Sequence, residues 1–455
     1  MNRTLSVFAK FAHGQLAGAD HAFGAVSSDS RTLAGGDLFV ALSGPNFDGH
    51  DYVAAAAARG AVGAVVARRL PVDVAQIIVD DPLGALQRAA ACWRAGHDIP
   101  VVGVAGSNGK TTTKELVASI LAERGPCLAT KGNLNNHIGV PLTLMRLAPE
   151  HRAAVIEIGA NVRGDVASLV PWVSPTVGLV TNAGAEHLEG FIDLDGVAAG
   201  EGELFEGLPV GAVAIINADD PYASYWRGLA AGARVYTFGM DPSADFHASD
   251  VRSSLDADGF RQDFTLVGPS GSADVVLHLG GAHNVMNALC AAAAAFGAGA
   301  TLEQIRAGLA TVRPVKGRLQ LKAGTGGAQL IDDSYNANPS SLEAGLGLLS
   351  TLPGDKWLVL GDMGELGEGS TEFHVDAGRR ARAAGVTRLF AIGSLTGHAV
   401  AAFGVGAEWF ASAEELCAGV RPLLHPGVTV FIKGSRLNRL ERVVDVLQAA
   451  PVVAP

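Results

Sequence analysis

Residues 106–111 read Gly-Ser-Asn-Gly-Lys-Thr and follow the apolar run Ile-Pro-Val-Val-Gly-Val-Ala at 99–105. Two glycines three residues apart, then Lys and Thr, are suited to holding phosphate. Gly106 and Gly109 let backbone amides approach an oxyanion closely, and a helix opening at Lys110 offers the favourable end of its dipole. Lys110 would reach the outer phosphates and Thr111 a Mg²⁺ ion, with Ser107, Asn108 and Thr112 as further nucleotide contacts. The loop lacks one glycine of the G-x-x-x-x-G-K-[ST] pattern, because Val104 stands in that place. Glu157 ends the apolar run 153–157, where a carboxylate beside the metal is expected. No N-K-x-D signature follows the loop, which argues against a regulatory GTPase. Asn284 and Asn287, at i and i+3, share one face of an Ala-rich helical stretch. Capping explains the first of these but not the second.

These groups need elements to hold them. A chain of 455 residues suggests about three domains at roughly 150 residues each. Short apolar runs at 37–42, 61–67 and 76–81 precede the loop, and further runs at 153–160, 176–184 and 211–220 follow it, with helical stretches between. A last set begins at 328 and ends with "VTVFIKGS". The alternation predicts an α/β chain of mainly parallel sheets, whose ligands bind beyond the carboxyl ends of the strands. The boundaries are expected at 82/83 and 313/314. The net charge of −11 and the lack of a Lys/Arg-rich run argue against a nucleic-acid partner. Four dispersed cysteines and no long apolar run imply a cytoplasmic protein without a membrane span.

Several stretches resemble the Mur ligases of peptidoglycan synthesis, whose ATP loop has the short G-x-x-G-K-T form. They are "DSRTLAGGDLFVALSGPNFDGHDYV" (29–53), "KGNLNNHIGVPLTL" (131–144), "EIGAN" (157–161), "TNAGAEHLEGF" (181–191), "GAHNVMNALCA" (281–291), "DDSYNANPSS" (332–341), "VLGDMGELG" (359–367) and "FIKGSR" (431–436). Within the family the pattern is most similar to the branch that joins D-Ala-D-Ala to UDP-N-acetylmuramoyl-tripeptide. The resemblance implies an N-terminal UDP-binding α/β domain, a central P-loop ATPase domain and a C-terminal Rossmann-like domain. It implies an enzyme acting on small molecules through an acyl phosphate, with ATP and Mg²⁺; a monomer is the default expectation. Ser30, Arg31, Asp48 and His50 would contact the uridine nucleotide, Asn133, Asn135 and Asn136 the sugar-peptide, and Asn182 is a further substrate contact. Asn284 and Asn287 would bind adenine, Asp333 the ribose, and Arg318 the γ-phosphate. Tyr335, Asn336 and Asn338 would meet the dipeptide, with Lys433 or Arg436 on its carboxylate.

The resemblance also implies two cations, the first on Thr111 and Glu157, the second on His187. In the family a lysine after "HLEGF" is carbamylated to serve the second. In "AAGEGELF" (198–205) that register holds Glu201, and the expectation is that Glu201 supplies the carboxylate itself. Another ligase of the superfamily and an ATP-driven switch are the rival readings. "DDSYNANPSS" weighs against the first, and the uridine-type motifs weigh against the second.

Overall fold

The apolar runs become the inner strands of three sheets in the computed structural model, which describes residues 3–256 and 259–450. The first sheet orders Gln15–Ala17, Ala75–Ile78, Gly63–Val66, Leu38–Val40 and Val26–Ser27, and only the Gln15–Ala17 edge is antiparallel. The second orders Arg234–Phe238, Val213–Asn217, Val177–Val180, Val101–Ala105, Ala153–Glu157 and Cys127–Ala129, all parallel. Its four inner strands are Val-, Ile- and Ala-rich because helices cover both faces. Helices Lys110–Ala122 and Ala282–Gly297 bury their apolar residues on one face, and Asp165–Val173 and Leu194–Glu206 on the other.

The C-terminal sheet orders Gln320–Ala323, Gln329–Asp333, Val428–Lys433, Asp355–Gly361, Arg388–Ile392 and Ala407–Phe410, parallel except for its first strand. The α/β class with mainly parallel sheets is as the sequence implied. A three-stranded antiparallel sheet, His247–Asp256, Gly259–Gly268 and Gly271–Leu277, was not anticipated. Its Phe260 is buried with Leu319, Ile331 and Ala337 of the C-terminal core.

Helix Pro82–Ala95 starts where a helix should, with Pro at its first position and the Asp81 carboxylate accepting the Leu83 and Gly84 amides at 3.0 Å each. Its apolar face belongs to one continuous core running from Leu5 and Phe8 through Leu86 and Trp93 to Phe205. The N-terminal and central regions are therefore welded by packing. No helix among the described residues is long and apolar enough to cross a membrane.

Candidate active site

The buried strand Val101–Ala105 runs straight into the phosphate-type loop, and helix Lys110–Ala122 leaves it. Gly106 and Gly109 have φ of +115° and +82°, which side chains rarely tolerate. A methyl group at 109 would stand 2.3 Å from Asn287 Oδ1, so only glycine lets the loop lie against that helix. The end of strand Val177–Val180 braces the loop. Ser107 N–H donates to Asn182 O at 2.9 Å, and the Asn182 side chain bridges Asn108 N–H and Asn108 O at 3.1 and 3.0 Å. Asn182, expected among the substrate contacts, thus braces the loop.

Lys110 folds over its own loop. Its ammonium donates to Gly106 O and, at 3.1 Å, to Ser107 O, and lies 3.7 Å from Glu186. Burial disfavours its charge, yet Glu186, Glu201 and Glu157 together hold its pKa above the ordinary lysine value. Glu186 is desolvated too, but Lys110 and His187 keep its pKa below the usual carboxylate value. Glu186 was not singled out from the sequence, although "AEHLEGF" placed it beside His187. His187 Nε2 is 3.1 Å from Glu186, and its Nδ1 meets Glu365 from the C-terminal region. Burial would lower the imidazole pKa, but these carboxylates raise it.

Glu157 ends its strand as expected. Asn135 donates to its Oε1 at 2.9 Å, while Oε2 is buried without a hydrogen-bond partner. Lys114, another residue missed in the sequence, lies fully buried 3.9 Å from that oxygen. A buried carboxylate oxygen left with a vacant lone pair, lining the same cavity as Thr111, fits one divalent cation. A second cation on His187 and Glu201 does not fit. Both His187 nitrogens meet carboxylates, and Glu201 lies behind the loop, where it accepts Gly106 N–H at 2.7 Å and does not line the cavity. Among the described residues no cluster of three or more His, Cys, Asp or Glu could hold a metal.

The C-terminal region closes the cavity, which measures about 990 Å³. Arg318 Nη2 donates to Thr111 Oγ1 at 3.2 Å, and its guanidinium stacks 4.6 Å from the Tyr335 ring centre. Asn338 caps helix Pro339–Thr351 through Ser341 N–H at 2.8 Å and donates to Asn108 Oδ1 at 2.9 Å, while Asn108 donates to Ser340 Oγ at 2.9 Å. Asn338 is therefore a cap and a bridge, with little left for a dipeptide. Lys433 is buried against Asp333 and Asn336 O at 2.5 and 3.0 Å, whereas Arg436 is exposed and paired with Glu441 at 3.0 Å, so of the two cations it is Arg436 that can reach a carboxylate from solvent. Asn284 and Asn287 are buried at the cavity wall and bonded to each other at 3.0 Å. His283 beside them is pushed down to about 4 by burial and stays neutral.

Asn133, Asn135, Asn136 and Asn336 line the cavity with the loop, but Ser30, Arg31, Asp48 and His50 do not. His50 is 6 % exposed, and Ala67 N–H donates to its Nε2 at 2.8 Å while Nδ1 pairs with Asp48. Asp48 in turn takes Ser43 Oγ at 2.8 Å. Both hold the turn that the motif encodes. Arg31 projects into solvent, paired with Asp29 at 2.8 Å.

A braced phosphate loop, a vacant carboxylate oxygen beside it and an arginine brought from a separate sheet define a nucleotide-dependent enzyme completed by its own C-terminal domain. The family profiles agree: "Mur ligase family, catalytic domain" matches residues 23–93, "Mur ligase middle domain" 104–295, and "Mur ligase, glutamate ligase domain" 317–436. The chain belongs to the Mur ligase family. It is 43% identical over 98% of both chains to the UDP-N-acetylmuramoyl-tripeptide–D-alanyl-D-alanine ligase of Escherichia coli K12, and 37% identical to that of Haemophilus influenzae over 92% of each. Among solved structures, MurF from Acinetobacter baumannii superimposes with a TM-score of 0.90 at 33% identity, covering 98% of each chain. MurF from Thermotoga maritima in complex with ADP gives 0.80 at 25% identity, over 93% of this chain and 96% of that one.

Proposed function

We propose that this protein joins D-alanyl-D-alanine to UDP-N-acetylmuramoyl-tripeptide at the cost of ATP, releasing the UDP-pentapeptide, ADP and phosphate. Arg318 seated on Thr111 carries the geometric part of the reading, because it brings a C-terminal cation to the loop where a γ-phosphate would end. The near full-length similarity to ligases of that name carries the substrates.

A carboxylate is a poor electrophile, so the tripeptide carboxylate attacks the γ-phosphorus and ADP leaves, giving an acyl phosphate. The dipeptide amine then attacks the acyl carbon, phosphate departs, and the amine loses a proton. Alignment and neutralisation of crowded oxyanions supply most of such catalysis. The loop amides and Lys110 hold the phosphates, and Arg318 adds positive charge as it develops on the transferred group. A Mg²⁺ ion on Thr111 and Glu157 would neutralise the β- and γ-phosphates further. Asn284 and Asn287 shape the adenine wall, and Asp333, fixed by Lys433, faces the ribose. Asn133, Asn135 and Asn136 line the sugar-peptide side, Asn336 and Arg436 the dipeptide side, and Ser30 and Arg31 are assigned to the uridine nucleotide. A cytoplasmic monomer suits four free cysteines and these small substrates.

Phosphate release measured with ATP, Mg²⁺ and both amino-acid substrates, omitting each in turn, tests the reading. Turnover should require all of them and yield a UDP-pentapeptide. Phosphate release independent of the dipeptide would overturn it.

A further inference from the structure

Helix Leu194–Glu206 is buried on more than one side: Leu204 packs on Gly103 and Gly178 of the central sheet, Gly200 against Phe191 and Gly202 against Trp226 and Leu229. Glu201 sits among them at 2 % exposure. A buried carboxylate is unfavourable unless donors and cations compensate it. Here the compensation is specific. The Glu201 Oε2 takes the N–H of Gly106, the first glycine of the phosphate loop, at 2.7 Å. The carbonyl of the same glycine receives the Lys110 ammonium. On its other side Gly106 abuts Thr181, where even a methyl group would meet the hydroxyl at 2.2 Å. The first glycine is thus gripped at both its amide and its carbonyl, one grip being Glu201. Glu203, two residues on, does a comparable job elsewhere, accepting Gly164 and Ala167 N–H at 2.8 and 2.9 Å at the start of helix Asp165–Val173.

We propose that Glu201 is a positioning residue for the nucleotide loop, fixing the Gly106 backbone and through it Lys110, and is not a ligand of a second cation. The inference rests on the ATP-ligase reading of the same site. Without Glu201 the Gly106 amide is buried and unpaired, and the Ala105–Gly106 peptide is held only at the Ala105 carbonyl, which Thr181 N–H meets at 3.0 Å. Gly106 can then turn about its own N–Cα bond, which shifts its carbonyl under Lys110 although Ser107 N–H stays on Asn182 O at 2.9 Å, and the loop amides meet phosphate less well aligned.

The decisive measurement is ADP binding by calorimetry in excess EDTA, which reads the loop with no metal present. Glu201→Gln keeps an oxygen acceptor for Gly106, and Glu201→Ala removes it. A hydrogen bond to a charged group is worth roughly tenfold or more, so the loss of one aligned loop amide should make Glu201→Ala bind metal-free ADP about tenfold more weakly, with Glu201→Gln within about threefold of the native protein. In turnover, Glu201→Ala should raise the KM for ATP while leaving the KM for the dipeptide unchanged. Mn²⁺ binding followed by electron paramagnetic resonance should be the same in all three proteins. Native-like ADP binding by Glu201→Ala, or Mn²⁺ affinity lost in Glu201→Gln, would overturn the proposal. Should Glu201→Ala fail to fold, Glu201→Asp, which withdraws the acceptor by one methylene, carries the same comparison. Failure of the native protein itself to bind ADP would instead sink the nucleotide reading.

Discussion

Replacing Arg318 by alanine should remove most of the chemical step while sparing nucleotide binding. The guanidinium is 3.2 Å from Thr111 Oγ1, the residue after the loop lysine, and is held flat on Tyr335 with its carbon 4.6 Å from the ring centre. A unit charge about 4 Å from a developing phosphoryl charge, at an effective dielectric of about 20, contributes about 4 kcal/mol. At about 1.4 kcal/mol per tenfold in rate, that is close to three powers of ten in kcat. Arginines acting on transferred phosphoryl groups are worth about 10³–10⁵, so this figure lies at the modest end. Arg318→Lys keeps the charge but loses the planar stack and the fork, and should fall between alanine and native. Tyr335→Leu removes the platform and about 1 kcal/mol of cation–π attraction, a loss of roughly fivefold. Coupled phosphate-release kinetics at saturating substrates, with ADP affinity measured separately, give both numbers. If kcat for Arg318→Ala falls by less than tenfold, or the whole loss lies in the KM for the dipeptide, Arg318 does not act on the transferred phosphoryl group.

Gly109→Ala places a methyl group 2.3 Å from Asn287 Oδ1 at a φ of +82°. The left-handed conformation alone costs about 1–2 kcal/mol, so the KM for ATP should rise at least several-fold, as initial-rate kinetics will show. Glu157→Gln removes the negative charge from a carboxylate whose Oε2 is unpartnered. It should weaken Mn²⁺ binding by more than tenfold in a resonance titration, while metal-free ADP binding stays unchanged. Burial lifts the Glu201 carboxyl to about 6, against the opposing pull of Lys110 and Gly106 N–H. Because the folded state binds this proton more tightly than the unfolded chain, Glu201 favours folding below its ordinary value near 4.5 and costs stability above about 6. A shift of about 1.5 units corresponds to about 2 kcal/mol, so Glu201→Gln should be more stable than native at pH 7.5 by up to that amount. Urea unfolding at pH 7.5 and 4.5 should show the difference vanish at the lower pH. With no lysine at 201 to carbamylate, turnover should be unchanged when CO₂ is stripped from the assay, and a bicarbonate requirement would contradict this.

The parallel strands were legible because burial on both faces leaves unbroken Val/Ile/Ala runs, as at 101–105 and 428–433. The three-stranded antiparallel sheet escaped notice although Gly259–Gly268 alternates buried and half-buried positions along most of its length. Its charged residues (Arg261, Asp263) break any continuous apolar run, yet period-two alternation was the available signal. In the site, residue types were easier to read than their partners. His50 and Asp48 stand in a motif that looks like ligand contact, but a histidine whose two nitrogens meet a backbone amide and a carboxylate is a turn fastener. Asn182 and Asn338 belong to amide-rich stretches, and which oxygen each amide bridges depends on strands and helices distant in sequence. Register singled out Glu201, but no spacing rule reveals that its oxygen points to a backbone amide. Glu186 and Lys114 carry no motif, because their importance arises from burial beside other charges.

Phe260 gives the enzyme a spine. Around it the central and C-terminal regions meet through hydrocarbon, with Leu319, Ile331 and Ala337, whereas at the nucleotide loop they meet through Asn108, Asn338 and Ser340. Water can replace an amide partner almost without loss, since such bonds are worth only about 1 kcal/mol net. It cannot replace a buried phenyl ring, whose exposure costs about 1.5–3 kcal/mol. The two regions thus meet dry at one side and wet at the other, and the dry contact is the costlier one to break. Phe260 therefore does more than the amides to fix the line along which Arg318 meets the loop.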